Sequence, residues 1–255
     1  MTTRETPWPQ GTPSWVDLMV PDVKAAGEFY GSLFGWQIQQ LGEEAGGYTI
    51  AELSGRPAAG IGPVPPDGEV PSVWTTYIAV DDVDAVVAKV SESGGQVFMP
   101  PMDVLQAGRM AVVADSTGAA FGLWQAGEHK GAEIVNEPGA LTWNECMTRD
   151  YDEARKFYAD VFGYQYDDVG DGGFTYAVLN LGGHPVGGIG ELGADMPAEI
   201  PPHWMCYFSV ADTDDTISRA TAMGAQVRLP PQDTPYGRMA VLQGAQGEIF
   251  AVIAG

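Results

Sequence analysis

Trp15-Val16-Asp17-Leu18-Met19-Val20-Pro21-Asp22 is the stretch that decides the fold. Trp15, Asp17 and Met19 alternate with Val16, Leu18 and Val20, which is the two-residue period of a strand. Asp22 carries the short carboxylate favoured at a helix N-cap. Behind it Val23, Ala26, Phe29, Tyr30, Leu33 and Phe34 recur at three- and four-residue spacing and form the apolar stripe of an amphipathic helix. Gly35 suits the left-handed stop of that helix. The unit then returns: Trp143-Asn144-Glu145-Cys146-Met147 leads to Asp150, Phe157-Tyr158 and Phe162-Gly163-Tyr164.

Working outward, strands are expected over 36–41, 48–53 and 58–62, so the opening unit reads β-α-β-β-β. Pro63, Pro65, Pro66, Gly68 and Pro71 then break any ladder. A second unit follows, with a strand over 74–80, a helix capped by Asp82 and strands over 96–99, 110–114 and 120–125. The turn Asp115-Ser116-Thr117-Gly118 separates the last two strands. Residues 139–190 repeat 11–62 at one constant offset, pairing Asp17 with Glu145 and Arg56 with His184. Residues 203–255 repeat the second unit, pairing Tyr77 with Tyr207 and Arg109 with Arg238. A long, ordered self-match of this kind marks an internal duplication. The expected architecture is α+β: four β-α-β-β-β modules in two domains. An arm covers 1–10, the first domain 11–126, a linker 127–138 and the second domain 139–255.

The chain carries 34 acidic against 12 basic residues, a formal charge of −22. That argues against nucleic acid and anionic membranes, whose phosphates call for clustered Lys and Arg. No apolar run approaches the ~18 residues of a membrane span. No signal peptide is evident at the N-terminus, so a cytoplasmic protein is expected. Cys146 and Cys206 are too few for a disulfide framework.

The strand, the acidic cap, the Phe-Tyr helix and its Phe-Gly end resemble the vicinal oxygen chelate superfamily, which includes glyoxalase I, bleomycin-resistance proteins and extradiol dioxygenases. Asp115-Ser116-Thr117-Gly118 is similar to that family's Asp-Pro-x-Gly turn. The duplication also resembles an actinobacterial two-domain group labelled hydroxylase-like or glyoxalase-like, some of whose relatives accompany polyketide tailoring. The resemblance implies curved mixed sheets around cavities, with helices outside. In metal-binding members it implies a His or Gln on the first strand, a His on the strand opening the next module and a Glu on the last strand. Here those positions align with Trp15 and Trp143, Thr75 and Met205, and Gly122 and Ala251. None supplies an imidazole or carboxylate, and a divalent ion needs several such donors converging. No metal and no other cofactor is therefore expected. His129, His184 and His203 are scattered and read as surface or turn residues.

Strand alternation puts Trp15, Asp17 and Met19 on one face, with Trp143, Glu145 and Met147 as their counterparts. With Tyr77, Tyr207, Arg109 and Arg238 these form the expected ligand-binding set, in which Asp17 and Glu145 are the candidate catalytic bases. The expected partner is a flat small molecule. Two readings stay open: an open pocket, or a filled core in which each carboxylate pairs with an arginine. Gly60, Gly62, Gly187, Gly188 and Gly190 read as strand bends. The two halves are expected to imitate a dimer within a monomer.

Overall fold

The computed structural model describes residues 2–65, 71–170, 173–194 and 196–255. The first half runs β1 (Pro13–Val20), α1 (Val23–Phe34), β2 (Gln37–Gln40), β3 (Thr49–Leu53) and β4 (Arg56–Pro63). It continues with β5 (Val73–Ala79), α2 (Val83–Glu92), β6 (Gln96–Val104), β7 (Gly108–Ala114) and β8 (Ala120–Ala126). The second half repeats this order: β9 (Leu141–Thr148), α3 (Tyr151–Phe162), β10 (Gln165–Asp168), β11 (Tyr176–Leu181) and β12 (His184–Glu191). Then come β13 (His203–Ser209), α4 (Thr213–Ala222), β14 (Gln226–Thr234), β15 (Gly237–Gln243) and β16 (Ile249–Ala254). Each half is one eight-stranded mixed sheet, ordered β2-β3-β4-β1-β5-β8-β7-β6 and β10-β11-β12-β9-β13-β16-β15-β14. Two modules therefore join at β1–β5 and again at β9–β13. The break expected after Pro63 runs partly through residues 66–70, outside the described residues.

The local signals act as read. Asp22, Asp82, Asp150 and Asp212 each accept a backbone N–H from three residues on, at the N-caps of the four helices. Gly35 (φ 78°) and Gly163 (φ 75°) stop α1 and α3 in the left-handed region. One expectation fails at β6, which continues through Pro100-Pro101 to Val104. It is an edge strand, and its register slips between Met99 and Met102, so the missing N–H groups fall where the ladder is already interrupted.

The two sheets turn their helix-bearing faces toward each other. One core joins Leu18, Phe29, Tyr30 and Phe34 of the first half to Phe208 and Phe250 of the second. The other joins Val86 and Phe121 to Phe157, Tyr158 and Trp204. The Tyr of each Phe-Tyr pair seals the junction. Tyr30 receives a bond from Trp74 Nε1 (3.1 Å) and donates to Glu248 Oε1 (2.8 Å). Tyr158 receives one from Trp204 Nε1 (2.8 Å) and donates to Asp115 Oδ2 (2.9 Å). Asp115 opens its β-turn, whereas Glu248 closes the matching one, so the two halves supply the same carboxylate from different positions. The other oxygen of Asp115 accepts the N–H groups of Thr117, Gly118 and Ala119. No helix among the described residues is long and apolar enough to cross a membrane.

Candidate functional site in the two concave faces

The sheet faces opposite the helices, called the two cups below, carry most of the expected site residues. In the first, Asp17 stands on β1 between Gly60 of β4 and Thr75 of β5, one step from the Trp15–Tyr77 pair. Trp15 Nε1 donates to the Tyr48 hydroxyl (3.0 Å), which donates to Asp17 Oδ2 (3.2 Å). Asp17 is only 5% exposed, and Oδ1 has no partner. Burial pushes its pKa up to about 7. Tyr77 and then Tyr48 pull it back, although Tyr77 approaches the carboxyl outside hydrogen-bonding geometry.

The second cup repeats the relay. Trp143 Nε1 donates to the Tyr176 hydroxyl (2.9 Å), and Tyr176 donates to Glu145 Oε2 (2.9 Å). Tyr207 donates to Glu145 Oε1 (2.6 Å). Both oxygens are thus partnered, because the longer side chain reaches both tyrosines. Burial raises the Glu145 pKa, with Tyr207 and Tyr176 opposing it. Glu145, Trp143 and Met147 nevertheless keep partial exposure.

Sequence reading missed Tyr48, which directly precedes β3, and Tyr176, the first residue of β11. Their signal is a tyrosine at the same place in both halves, facing a glycine. A Cβ on Gly60 would stand 1.8 Å from the Tyr48 hydroxyl oxygen, and one on Gly188 1.8 Å from that of Tyr176. These two glycines are seats for tyrosines rather than strand bends. Gly122 plays the same part for Tyr77, whose ring lies 2.1 Å from where a Cβ would be.

Other expectations need correction. Arg109 and Arg238 do not face the cups. On β7, Ala111 and Val113 share Arg109's parity and pack toward the helices. Arg109 bridges Asp84 (2.8 Å) on α2 and Asp103 (2.9 Å) on β6. Arg238 bridges Asp214 (2.7 Å) and Asp233 (2.9 Å) in the same way. The cup carboxylates therefore pair with tyrosines, not arginines. Met110 and Met239 take the cup-facing places beside them. Met19 and Met147 line the cups as read, packing against Gly62 and Gly190.

The cups differ in their cover. Linker residues cross the first: Ala132 N–H donates to Ser14 O (2.7 Å), and His129 N–H donates to Ala107 O (3.0 Å). Ala132 and Val135 pack with Trp15, Tyr77 and Trp124. The His129 ring meets Trp15 edge-on, with centroids 4.3 Å apart. It is no surface residue: Nε2 is buried without a partner, and burial lowers its pKa to about 4. The N-terminal arm backs this cover, with Trp8 Nε1 on Ala132 O (3.0 Å) and Thr3 bridging Ile134. A groove of about 210 Å³ between Trp8, Asp81, Trp124 and Lys130 lies beside the plug and touches neither carboxylate. Over the second cup, all members of the apolar cluster come from the second half's own sheet.

The donor set does not fit a divalent ion. Trp15, Thr75 and Gly122 bring no imidazole or carboxylate together, and Tyr77 fills the space above Gly122. Among the described residues no group of three or more His, Cys, Asp and Glu side chains could hold a metal. Each face instead holds one acid on tyrosine hydroxyls, with an indole N–H behind one of them.

The chain belongs to the glyoxalase/bleomycin resistance protein/dioxygenase superfamily, whose profile matches residues 12–123 and 141–251. It is 49% identical over 250 residues to the "Putative glyoxylase CFP32" of Mycobacterium tuberculosis, covering 96% of this chain and 95% of that one. It is 40% identical over 257 residues to the anthracycline biosynthesis protein DnrV of Streptomyces peucetius, covering 95% and 93%. In fold it is similar to the Mn(II)-bound glyoxalase of Novosphingobium aromaticivorans, with a TM-score of 0.65, 17% identity and coverage of 96% and 82%. It is likewise similar to a 2,2',3-trihydroxybiphenyl 1,2-dioxygenase of Sphingomonas wittichii, at 0.65, 14%, 97% and 91%.

Proposed function

We propose that the chain is a metal-independent protein that binds, and by proton transfer tailors, a small aromatic or polyketide-like molecule. The observation that carries this reading is the Trp–Tyr–carboxylate relay in each half, which starts from Trp15 and Trp143 at a position where the resemblance implies a metal ligand. A carboxyl raised toward neutral pH is a competent proton acceptor and donor in a partly dry site. On this reading an acidic proton of the ligand passes to a carboxylate oxygen of the cup, and the tyrosine hydroxyls hydrogen-bond the remaining charge. The likeness to a protein named for anthracycline biosynthesis supports the aromatic class. The free, buried Cys146 and Cys206 fit a reducing compartment, the cytoplasm. The apolar junction between the sheets supports a monomer whose halves stand in for two subunits.

A second reading, a glyoxalase-like lyase or isomerase acting on α-oxoaldehyde adducts or an accessory to a hydroxylase, is favoured by the 49% identity to the mycobacterial relative. One experiment separates the two. Purified protein is analysed for metal, then assayed with a methylglyoxal–thiol adduct before and after chelation. A thermal-shift screen of aromatic natural products runs alongside. The proposal expects no stoichiometric metal and stabilisation by aromatics. Stoichiometric metal in a cup, or adduct turnover abolished by chelation, would overturn it.

A further inference from the structure

We infer that the second half alone takes the ligand, and that Phe174, Tyr176 and Tyr236 form an aromatic clamp at its mouth selecting a planar molecule without negative charge. This rests on the small-molecule reading above and deepens it. The asymmetry is built into matched positions. Where the second half has Phe174, the first has Gly46; where the second has Tyr236, the first has Ala107. Ala107 O accepts the N–H groups of Gly127 (2.9 Å) and His129 (3.0 Å), so this small residue is where the linker docks to close the first cup. Tyr236 stands in the equivalent turn, 65% exposed, and Phe174 is 52% exposed. The Phe174 ring stacks on Tyr176, with centroids 5.6 Å apart and planes 20° apart. Tyr176 is one of the two tyrosines that hold Glu145, so the stacked pair reaches the acid. Large exposed aromatics beside an acid that keeps partial exposure are a binding surface rather than ordinary decoration.

The charge class follows from what lines the floor. Glu145 is the acid, the chain's net charge is −22, and Arg238 turns to Asp214 and Asp233 instead of the cup. An anionic ligand would meet repulsion with no cation to offset it, whereas neutral or cationic planar molecules would not.

The test titrates the full chain with three planar probes, following tryptophan fluorescence. They are 1,8-dihydroxyanthraquinone (neutral), proflavine (cationic) and anthraquinone-2,6-disulfonate (anionic). The expected result is one site per chain, with the neutral and cationic probes at least about tenfold tighter than the disulfonate. Phe174→Ala and Tyr236→Ala should each weaken binding about tenfold. Their circular dichroism should be unchanged, since both side chains are exposed. Two equivalent sites, preference for the disulfonate, or unchanged binding in both variants would overturn the inference. Binding that survives both variants and is lost in Trp15→Ala would place the ligand in the first cup, leaving the proposed function intact. Binding of none of the three probes would overturn the inference and the aromatic reading together.

Discussion

Asp17→Asn should make the protein more stable at pH 8 and leave it little changed at pH 5. The folded chain holds Asp17 near pKa 7, against 3.8 for a free side chain. Between those values the folded state binds a proton that the unfolded state has released. Stability from this group is therefore highest below about pH 4 and falls as pH rises through 7. A shift of about three units corresponds to a penalty on the order of 4 kcal/mol above pH 8. The amide carries no charge and can still accept from Tyr48. Its NH2 would face the place where Oδ1 finds no partner, at a cost of roughly 1–2 kcal/mol. The net gain at pH 8 is then about 2–3 kcal/mol. His129 titrates the opposite way: its pKa is lowered to about 4, so its contribution rises with pH from 4 toward 6.5. That slope, and the one from the raised Glu145, belong to both proteins and cancel in the difference. Urea unfolding at pH 5, 6, 7 and 8, followed by tryptophan fluorescence, gives the difference curve. A flat curve, or a variant less stable than the parent at pH 8, would refute the account of a strained buried carboxyl.

Gly122→Ala should destabilise by about 1–3 kcal/mol, because the new methyl group meets the base of the Tyr77 ring rather than a free end; thermal melts check this. Tyr158→Phe should cost about 2 kcal/mol, since Asp115 Oδ2 loses its hydroxyl donor and Trp204 Nε1 its acceptor inside the junction. Urea melts of that variant should keep a single transition if the halves unfold together, and two transitions would show that the junction is not what couples them.

Legibility tracked how local each cause was. Asp caps, αL glycines and the Phe-Tyr stripe act within a turn or two, so the modules could be read directly. Asp17 and Glu145 could be put on the concave face because strand parity needs only their neighbours. Arg109 is expected in the cup from its place at the start of a strand, but it shares the parity of Ala111 and Val113, whose packing turns it toward Asp84. Tyr48 lies outside any regular strand, and its reach to Asp17 depends on a glycine on a neighbouring strand. The burial of His129 depends on a linker folding back over Trp15, a contact that no local pattern announces. The strand expected over 96–99 runs on through Pro100-Pro101 because an edge strand tolerates them, and that tolerance is a property of the sheet.

The matched halves explain how one cup can close without becoming dispensable. Neither half has a complete core on its helix face: Phe34 packs against Phe208, and Phe121 against Phe157 and Phe162. Tyr158, one turn from the end of α3, needs the carboxylate of a turn in the first half. That turn precedes β8, which pairs with β5, and β5 meets the second half through Thr76 Oγ1 on Asn144 Oδ1 (2.9 Å). Asn144 lies between Trp143 and Glu145. The strand that carries the second cup's acid is thus braced from behind by the first half, whatever lies over the first half's own cup. Duplication with a back-to-back junction makes both sheets necessary to hold the fold, while the proposed ligand site needs only the second.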